Sequence, residues 1–140
     1  MPNTVPLHIL FADDSGDDVA LLRQAFEERS IPVVFEHALD GQVAAQTLAG
    51  DANFSLVLLD NHMPIRTGLE VLQQVRQAGQ FPQCPVVILT SHILPSQADE
   101  LSAAGAVAIL DKPNDWPGYL DLVDQLVTLL RREQRAEAGS

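Results

Sequence analysis

Five short apolar runs recur along the chain at fairly even intervals, and segments of helical periodicity separate them. Most of these runs are continuous in hydrophobicity and rich in Val, Ile and Leu, which is typical of strands buried on both faces of a parallel sheet. The second run is the most polar because it contains Glu36 and His37, so we expect it at an edge of the sheet. The predicted strands are residues 7–12, 33–38, 56–59, 86–89 and 107–110.

The intervening segments contain residues that favour the starts and ends of helices. Polar residues that can cap a first turn alternate with glycines that can end a last turn. The expected N-caps are Ser15 (with Asp18 at capping-box spacing), Asp40, Thr67, Ser96 (with Asp99) and either Asn114 or Asp115. Gly50, Gly79 and Gly105 are the expected ends of the second, third and fourth helices.

The repeated alternation of strand and helix predicts the fold class. Five βα units with right-handed crossovers give an α/β fold, a doubly wound five-stranded parallel sheet flanked by five helices. A length of 140 residues is typical of one domain. We expect a single domain over residues 1–140, with a core at about 7–130 and flexible ends at 1–6 and 131–140.

Composition narrows the class of protein. The chain has 8 basic and 19 acidic residues and a formal net charge of −11, which disfavours direct binding to nucleic acid. No apolar run approaches the ~20 residues that span a bilayer, so we expect no membrane segment. The one cysteine, Cys84, excludes an intramolecular disulfide and is compatible with a reducing cytosol, which favours a cytoplasmic location.

Five chemically active side chains stand just beyond the predicted strands: Asp13, Asp14, Asp60, Thr90 and Lys112. Ligands bind to doubly wound sheets at the carboxyl ends of the strands, so we expect these side chains to converge there. Each alone could be a helix cap, a turn residue or a solvated charge. Three clustered carboxylates, however, either raise a pKa or require a cation, and Mg²⁺ suits an oxygen-only site.

Such a site would be nearly neutral once Mg²⁺ and Lys112 balance the three carboxylates, and it could then admit a phosphoryl group. One carboxylate would act as the nucleophile and form an acyl phosphate. Mg²⁺ and Lys112 would neutralise charge on the transferring oxygens, and the Thr90 hydroxyl would donate a hydrogen bond to one of them.

The same residues carry a resemblance to a known family. Residues 56–64, which contain Asp60-Asn61-His62-Met63-Pro64, and Gly68 after them resemble the acceptor-site signature of receiver domains in bacterial two-component response regulators. Asp13-Asp14 resembles the acidic pair of that family, Thr90-Ser91 its switch hydroxyl, and Lys112-Pro113 its lysine followed by proline. The resemblance extends from His8 to about Leu130 and implies a flavodoxin-like sheet with strand order 2-1-3-4-5.

This resemblance implies that Asp60 accepts a phosphoryl group from the phosphohistidine of a sensor histidine kinase. It implies that Asp14, Asp60 and the His62 backbone carbonyl ligate Mg²⁺ directly, while Asp13 acts mainly through water. Such a protein catalyses only its own phosphorylation and dephosphorylation and is not otherwise an enzyme. The Lys112–Pro113 peptide bond is typically cis in the family.

Three other positions bear on regulation. Ile109 stands where the family commonly has an aromatic residue that reports phosphorylation, and an aliphatic side chain cannot serve as that aromatic switch. His62 and His92 stand two residues beyond Asp60 and Thr90, where the family tunes the lifetime of the phosphoryl group. Two alternatives are ordinary loop histidines and, with less support, a zinc site of both histidines with Asp60.

Partners are suggested by the ends of the sequence. Residues 14–26 resemble standalone regulators that serve bacterial phytochrome-type kinases, although helix capping could produce parts of this pattern. Because the chain ends soon after the last helix, we expect a single-domain regulator that signals through altered binding of an unknown downstream protein. The fourth helix is a candidate responder, and Leu120, Val127 and Leu129 on the last helix are candidates for homodimerisation.

Three other classes of protein compete with this interpretation. A flavodoxin-like cofactor binder would need a phosphate-binding loop where Asp13 and Asp14 stand. A phosphatase of the haloacid dehalogenase type would have an Asp-x-Asp motif at the first strand, and this motif is absent from the sequence there. A degenerate receiver that binds partners without being phosphorylated is the serious rival.

Overall fold

A computed structural model describes residues 6–50 and 53–138. Most of the predicted flexible N-terminus, residues 1–5, and the last two residues lie outside the described residues. Strands and helices alternate throughout: β1 Leu7–Ala12, α1 Gly16–Glu28, β2 Val33–Ala38, α2 Gly41–Leu48, β3 Leu56–Asp60, α3 Gly68–Gln77, β4 Val86–Thr90, α4 Pro95–Ala103, β5 Ala108–Asp111 and α5 Trp116–Ala138. The predicted α/β class is confirmed.

The five strands form one parallel sheet with the order β2-β1-β3-β4-β5. The polar strand β2 lies at an edge, as its sequence predicted. Alternate residues of the strands point to opposite faces, which produces two apolar clusters. Helices α1 and α5 cover one face of the sheet, and α2, α3 and α4 cover the other.

Backbone pairing moves the limits of three strands by one residue. β3 and β4 extend to Asp60 and Thr90, which places both side chains at the carboxyl edge of the sheet. β5 begins at Ala108 rather than Val107 because its ladder with β4 runs from Ala108 opposite Val87 to Asp111 opposite Thr90. Val107 is exposed, so hydrophobicity alone was a poor guide to this strand.

Most predicted helix limits are confirmed by the caps. The side chains of Ser15, Asp40 and Thr67 accept from backbone amides three residues later, and Asp115, rather than Asn114, caps α5 by accepting from Gly118 at 2.8 Å. Gly79 and Gly105 follow α3 and α4 with positive φ angles. Such angles favour glycine at the end of a helix.

The start of α4 differs from the prediction. The helix begins at Pro95, so Leu94, and not Ser96, occupies the N-cap position. Proline suits the first helical position because its φ is preset and it has no amide hydrogen to satisfy. The Gln97 side chain then accepts from the Leu94 amide at 3.1 Å.

The length of α5 is a second difference. The helix continues to Ala138, whereas we expected the chain to fray from residue 131. Residues 131–138 are all Arg, Glu, Gln or Ala, which are strong helix formers, and no Gly or Pro interrupts them.

Among the described residues, no helix is both long and apolar enough to cross a membrane.

Gly41 allows α2 to begin close to the loop that follows β3. Its amide lies 3.4 Å from the Pro64 carbonyl oxygen, and a Cβ at Gly41 would overlap the backbone of Arg66. We predict that Gly41→Ala lowers the free energy of unfolding by about 1–3 kcal/mol, since two backbone segments must move apart. Urea unfolding measures this change.

Gly16→Ala is the matched control for that measurement. Gly16 begins α1, and a Cβ there would meet nothing within 4 Å. We expect its free energy of unfolding to stay within about 0.5 kcal/mol of the original chain. Equal losses in the two variants would contradict the steric explanation.

Candidate functional site

Two buried carboxylates form the centre of the site. Asp13 follows β1 and is fully buried, and Asp60 ends β3 with 4% of its surface exposed. β1 and β3 are neighbours in the sheet, so the residues at their carboxyl ends lie side by side. In the sheet, β2 lies on one side of β1, and β3, β4 and β5 lie on the other side. The strand order therefore reverses between β1 and β3, and such sheets bind ligands at this switch point.

One ammonium group contacts three carboxylates. Lys112 follows β5, and its Nζ lies 2.9 Å from an oxygen of Asp13, 2.9 Å from one of Asp60 and 3.0 Å from one of Asp18. Burial acts to lower the pKa of this ammonium, but the three carboxylates outweigh burial and raise the pKa above its ordinary value. Lys112 therefore remains charged and only partly compensates the surrounding negative charge.

Burial disfavours the ionised form of the Asp13 carboxyl. Burial raises its pKa above the ordinary value, and contacts with Lys112 and the Ser15 amide only partly offset this. Oδ1 accepts from the Ser15 amide at 2.8 Å. Oδ2 lies close to Lys112 but accepts no well-directed hydrogen bond. A buried oxygen in this condition can still bind a cation.

The predicted acidic cluster is present. Asp13, Asp14 and Asp60 each offer a carboxylate oxygen, and these oxygens lie within 4.8 Å of one another. Asp14 is exposed, so the cluster is open to solvent on that side. An all-oxygen donor set of this size fits a hard divalent cation such as Mg²⁺. Within the described ranges no group of three metal-ligand side chains includes a histidine, which argues against the zinc alternative.

Two loops meet across the mouth of the site. Thr90 is buried, and its hydroxyl donates to the backbone carbonyl of His92 at 3.0 Å rather than to Asp60. His62 lies on the other loop, and its Nε2 is 3.4 Å from the same carbonyl. The His62 amide also donates to Asp60 Oδ1 at 3.0 Å. Both histidine side chains are exposed beside Asp60 and Thr90.

Two further expectations concern β5 and the residues after it. Ile109 is half-buried and packs against the cluster under α2, α3 and α4. The described residues contain no cis peptide bond, so the expected cis Lys112–Pro113 bond is wrong. The trans form of an X–Pro bond is intrinsically favoured, and the Lys112 ammonium reaches Asp60 from it.

Sequence reasoning missed three members of the site. Asp18 was expected only to help cap α1, and Tyr119 was not among the expected site residues, yet their side chains join the Lys112 network. The available signal for Asp18 was its place in the first turn of α1, directly after the loop that carries Asp13 and Asp14. The His37 ring lies 2.6 Å from the Asp13 carbonyl oxygen, a contact between β2 and the loop after β1 that no local motif reports.

The cost of burying Asp13 gives a stability prediction. Its raised pKa means that the folded protein penalises the ionised carboxyl. This penalty is complete above the folded-state pKa, shrinks as the pH falls below it, and is gone below the lower pKa of the unfolded chain. We predict that Asp13→Asn raises the free energy of unfolding by about 0.5–2 kcal/mol at pH 7.5, and that the gain vanishes near pH 3.5.

Urea unfolding in EDTA at the two pH values measures the effect. Asp17→Asn is the control, because Asp17 is exposed on the adjacent turn and the substitution removes the same charge. We expect a change within about 0.5 kcal/mol for this control. A loss of stability in Asp13→Asn at pH 7.5 would mean that its contact with Lys112 outweighs its burial.

Comparison with known proteins identifies the family. Residues 9–124 match the response regulator receiver domain. The two-component response regulator ORR11 of Oryza sativa subsp. indica is 32% identical over 109 residues, which cover 77% of this chain and 72% of that protein. The chemotaxis protein CheY4 of Vibrio cholerae has a similar structure, with a TM-score of 0.70, 27% identity, and coverage of 86% of this chain and 98% of that one.

A cyanobacterial protein shares the fold. The phosphorylated phytochrome response regulator RcpA has a TM-score of 0.74 and 20% identity, with 87% of this chain and 91% of that chain covered. An identity this low shows the fold alone, whereas the family match covers most of the sequence. The chain therefore belongs to the receiver domain family of two-component response regulators.

Proposed function

We propose that this response regulator accepts a phosphoryl group on Asp60 from the phosphohistidine of a sensor histidine kinase, in a reaction that requires Mg²⁺. The observation that carries the proposal is the 2.9 Å contact between Asp60 and Lys112 beside the acidic cluster. Phosphoryl transfer to an aspartate needs a nucleophilic carboxylate, a cation site and a positive side chain for the phosphoryl oxygens.

Asp60 suits the role of nucleophile better than its two acidic neighbours. Asp13 is fully buried, and Asp14 is exposed at the rim. Asp60 lies between these extremes, with one oxygen held by the His62 amide and the other by Lys112. A carboxylate fixed at both oxygens loses little further freedom when it attacks phosphorus.

Asp14, Asp60 and the backbone carbonyl of His62 are the groups that would hold Mg²⁺, while Asp13 would act through water. The support is the all-oxygen cluster and the Asp13 oxygen that lacks a directed hydrogen bond. When bound, the ion would neutralise charge on the phosphoryl oxygens.

The transfer exchanges one bond to phosphorus for another. A bond forms between an Asp60 oxygen and phosphorus while the bond from phosphorus to the kinase imidazole breaks, and the departing nitrogen takes up a proton. Lys112 contacts one phosphoryl oxygen, and the Thr90 hydroxyl turns away from the His92 carbonyl to donate to another. Hydrolysis later returns the carboxylate and inorganic phosphate, and we assign the protein no other enzymatic activity.

Phosphorylation would act on partners through charge. It adds about −1.5 to −2 charges, which is enough to bias a two-state element. The proposed target is an unidentified downstream protein, and a homodimer is a second outcome because Leu120, Val127 and Leu129 are only partly buried on α5. The resemblance of residues 14–26 to standalone regulators of phytochrome-type kinases is the reason we propose such a kinase as donor. A cytoplasmic location would keep Cys84 reduced.

Intact-mass spectrometry tests the proposed acceptor. Incubation with Mg²⁺ and acetyl phosphate should add one phosphoryl group, because the small donor supplies phosphorus to the same carboxylate and releases acetate. Asp60→Asn removes the nucleophile and should abolish the gain, and EDTA should do the same for the original chain.

Asp40→Asn is the matched control for that substitution. Asp40 caps α2 and lies outside the acidic cluster, so its variant should still gain the group. No gain from acetyl phosphate or from a panel of histidine kinases would instead favour a degenerate receiver that binds partners without phosphorylation.

The loop contact at the mouth of the site gives a prediction about phosphoryl lifetime. His62→Ala removes the 3.4 Å contact with the His92 carbonyl and opens the approach of water to Asp60. We predict that loss of the phosphoryl group accelerates about 2- to 5-fold, which corresponds to about 0.5–1 kcal/mol. Intact mass is followed after acetyl phosphate is removed, and His92→Ala, which keeps the backbone carbonyl that His62 contacts, should change the decay less than His62→Ala does. His8→Ala, a histidine at the start of β1, is the control. Unchanged or slower decay in His62→Ala would contradict the prediction.

A further inference from the structure

Four side chains form a continuous path from the phosphoacceptor to the last helix. Lys112 contacts Asp60 at 2.9 Å and Asp18 at 3.0 Å. The other oxygen of Asp18 accepts a hydrogen bond from the Tyr119 hydroxyl at 3.1 Å. Asp18 lies in the first turn of α1, and Tyr119 lies in the first turn of α5. The path therefore joins the carboxyl edge of the sheet to both helices on one face.

Helix capping does not explain the direction of the Asp18 carboxylate. Asp18 is the third residue of α1, from which a capping-box carboxylate would bond back to the Ser15 amide. That amide instead donates to Asp13 at 2.8 Å. At the third helix, by contrast, Glu70 does bond back to the Thr67 amide. The Asp18 side chain is thus free to contact Lys112 and Tyr119.

The Tyr119 hydroxyl is buried, so its hydrogen bond to Asp18 strongly affects its energy. The residue is 4% exposed, and burial followed by the Asp18 charge raises the pKa of its phenol to about 12. A buried hydroxyl with one acceptor responds to any change in the charge of that acceptor. Ile109 cannot supply such a response from β5, because an aliphatic side chain has no polar group.

We propose that Asp18 is a positioning residue for the Lys112 ammonium, and that Tyr119, through Asp18, couples the occupancy of Asp60 to helix α5. The inference rests on the proposed phosphorylation of Asp60. In this role, a phenol on α5 takes the place of the aromatic side chain that β5 lacks, and Tyr119 lies on the opposite face of the sheet from Ile109.

The coupling follows from the limited capacity of the ammonium. A lysine ammonium has three hydrogens to donate, and three carboxylates surround Lys112. A phosphoryl group on Asp60 adds charge there and takes a larger share of the ammonium. Asp18 then loses part of its compensation and becomes a stronger acceptor for the Tyr119 hydroxyl. The charge compensation changes only at Asp18, but the hydrogen bond from Tyr119 carries its effect to α5.

The composition of the chain makes both ends of the path observable. Lys112 is the one lysine and Tyr119 the one tyrosine in the sequence. Protein labelled with ¹⁵N at the lysine Nζ and ¹³C at the tyrosine Cζ therefore gives one side-chain resonance for each end. Spectra are recorded with Mg²⁺, before and after acetyl phosphate, and intact mass is measured on the same samples.

We expect the Tyr119 resonance to shift by more than its linewidth as the phosphoryl group is gained. In Asp18→Asn the phosphorylation-dependent shift should be lost, whereas Asp17→Asn, which removes the same charge from an exposed neighbour, should retain it. In Tyr119→Phe, the Lys112 resonance of the unphosphorylated protein should move from its original position, because the orientation of Asp18 changes. A purely packing role of Tyr119 predicts no such movement.

The outcomes separate this inference from the function on which it rests. Absence of a mass gain in the original chain would overturn the proposed phosphorylation. A mass gain without a shift of Tyr119, or a shift that persists in phosphorylated Asp18→Asn, would overturn the coupling alone. Thermal unfolding checks that Asp18→Asn is folded. If it is not, an unmoved Lys112 resonance in Tyr119→Phe would overturn the coupling by itself.

Discussion

A single ammonium among three carboxylates is the interaction on which the site depends. Lys112 brings together Asp13 after β1, Asp18 on α1 and Asp60 at the end of β3. Each of these carboxylates would repel the others without it, and an uncompensated charge in a partly buried place costs several kcal/mol. The two apolar clusters on the faces of the sheet must offset this repulsion. The molecule therefore maintains a locally unfavourable arrangement that is suited to binding cations and phosphoryl oxygens.

Much of the fold could be predicted because its signals are local. Apolar runs located the strands within one residue, and Ser15, Asp40 and Thr67 located three helix starts. The errors arose where two local signals competed. Pro95 prevailed over Ser96 at the start of α4, and the strong helix formers beyond residue 130 prevailed over the expectation of a frayed end.

The site was partly predictable for a topological reason. A residue that ends or directly follows a parallel strand is placed at the carboxyl edge wherever the helices pack, which is why Asp13, Asp60 and Lys112 could be predicted to lie together. Asp18 and Tyr119 are 101 residues apart, and their contact depends on the packing of α1 against α5. The direction of the Thr90 hydroxyl was equally inaccessible, because a rotamer is chosen by neighbours that the sequence does not place.

Because α5 is long, a small tilt at its first turn would produce a large displacement at its last turn. About 19 residues separate Tyr119 from Ala138, which corresponds to ~28 Å of helix at 1.5 Å per residue. A tilt of ~5° about Tyr119 would sweep the far end through ~2–3 Å, comparable to the shifts by which helices switch interfaces. A small rotation of α5 near Asp18 would therefore displace the arginine-rich residues 131–138 much further than it displaces the start of the helix.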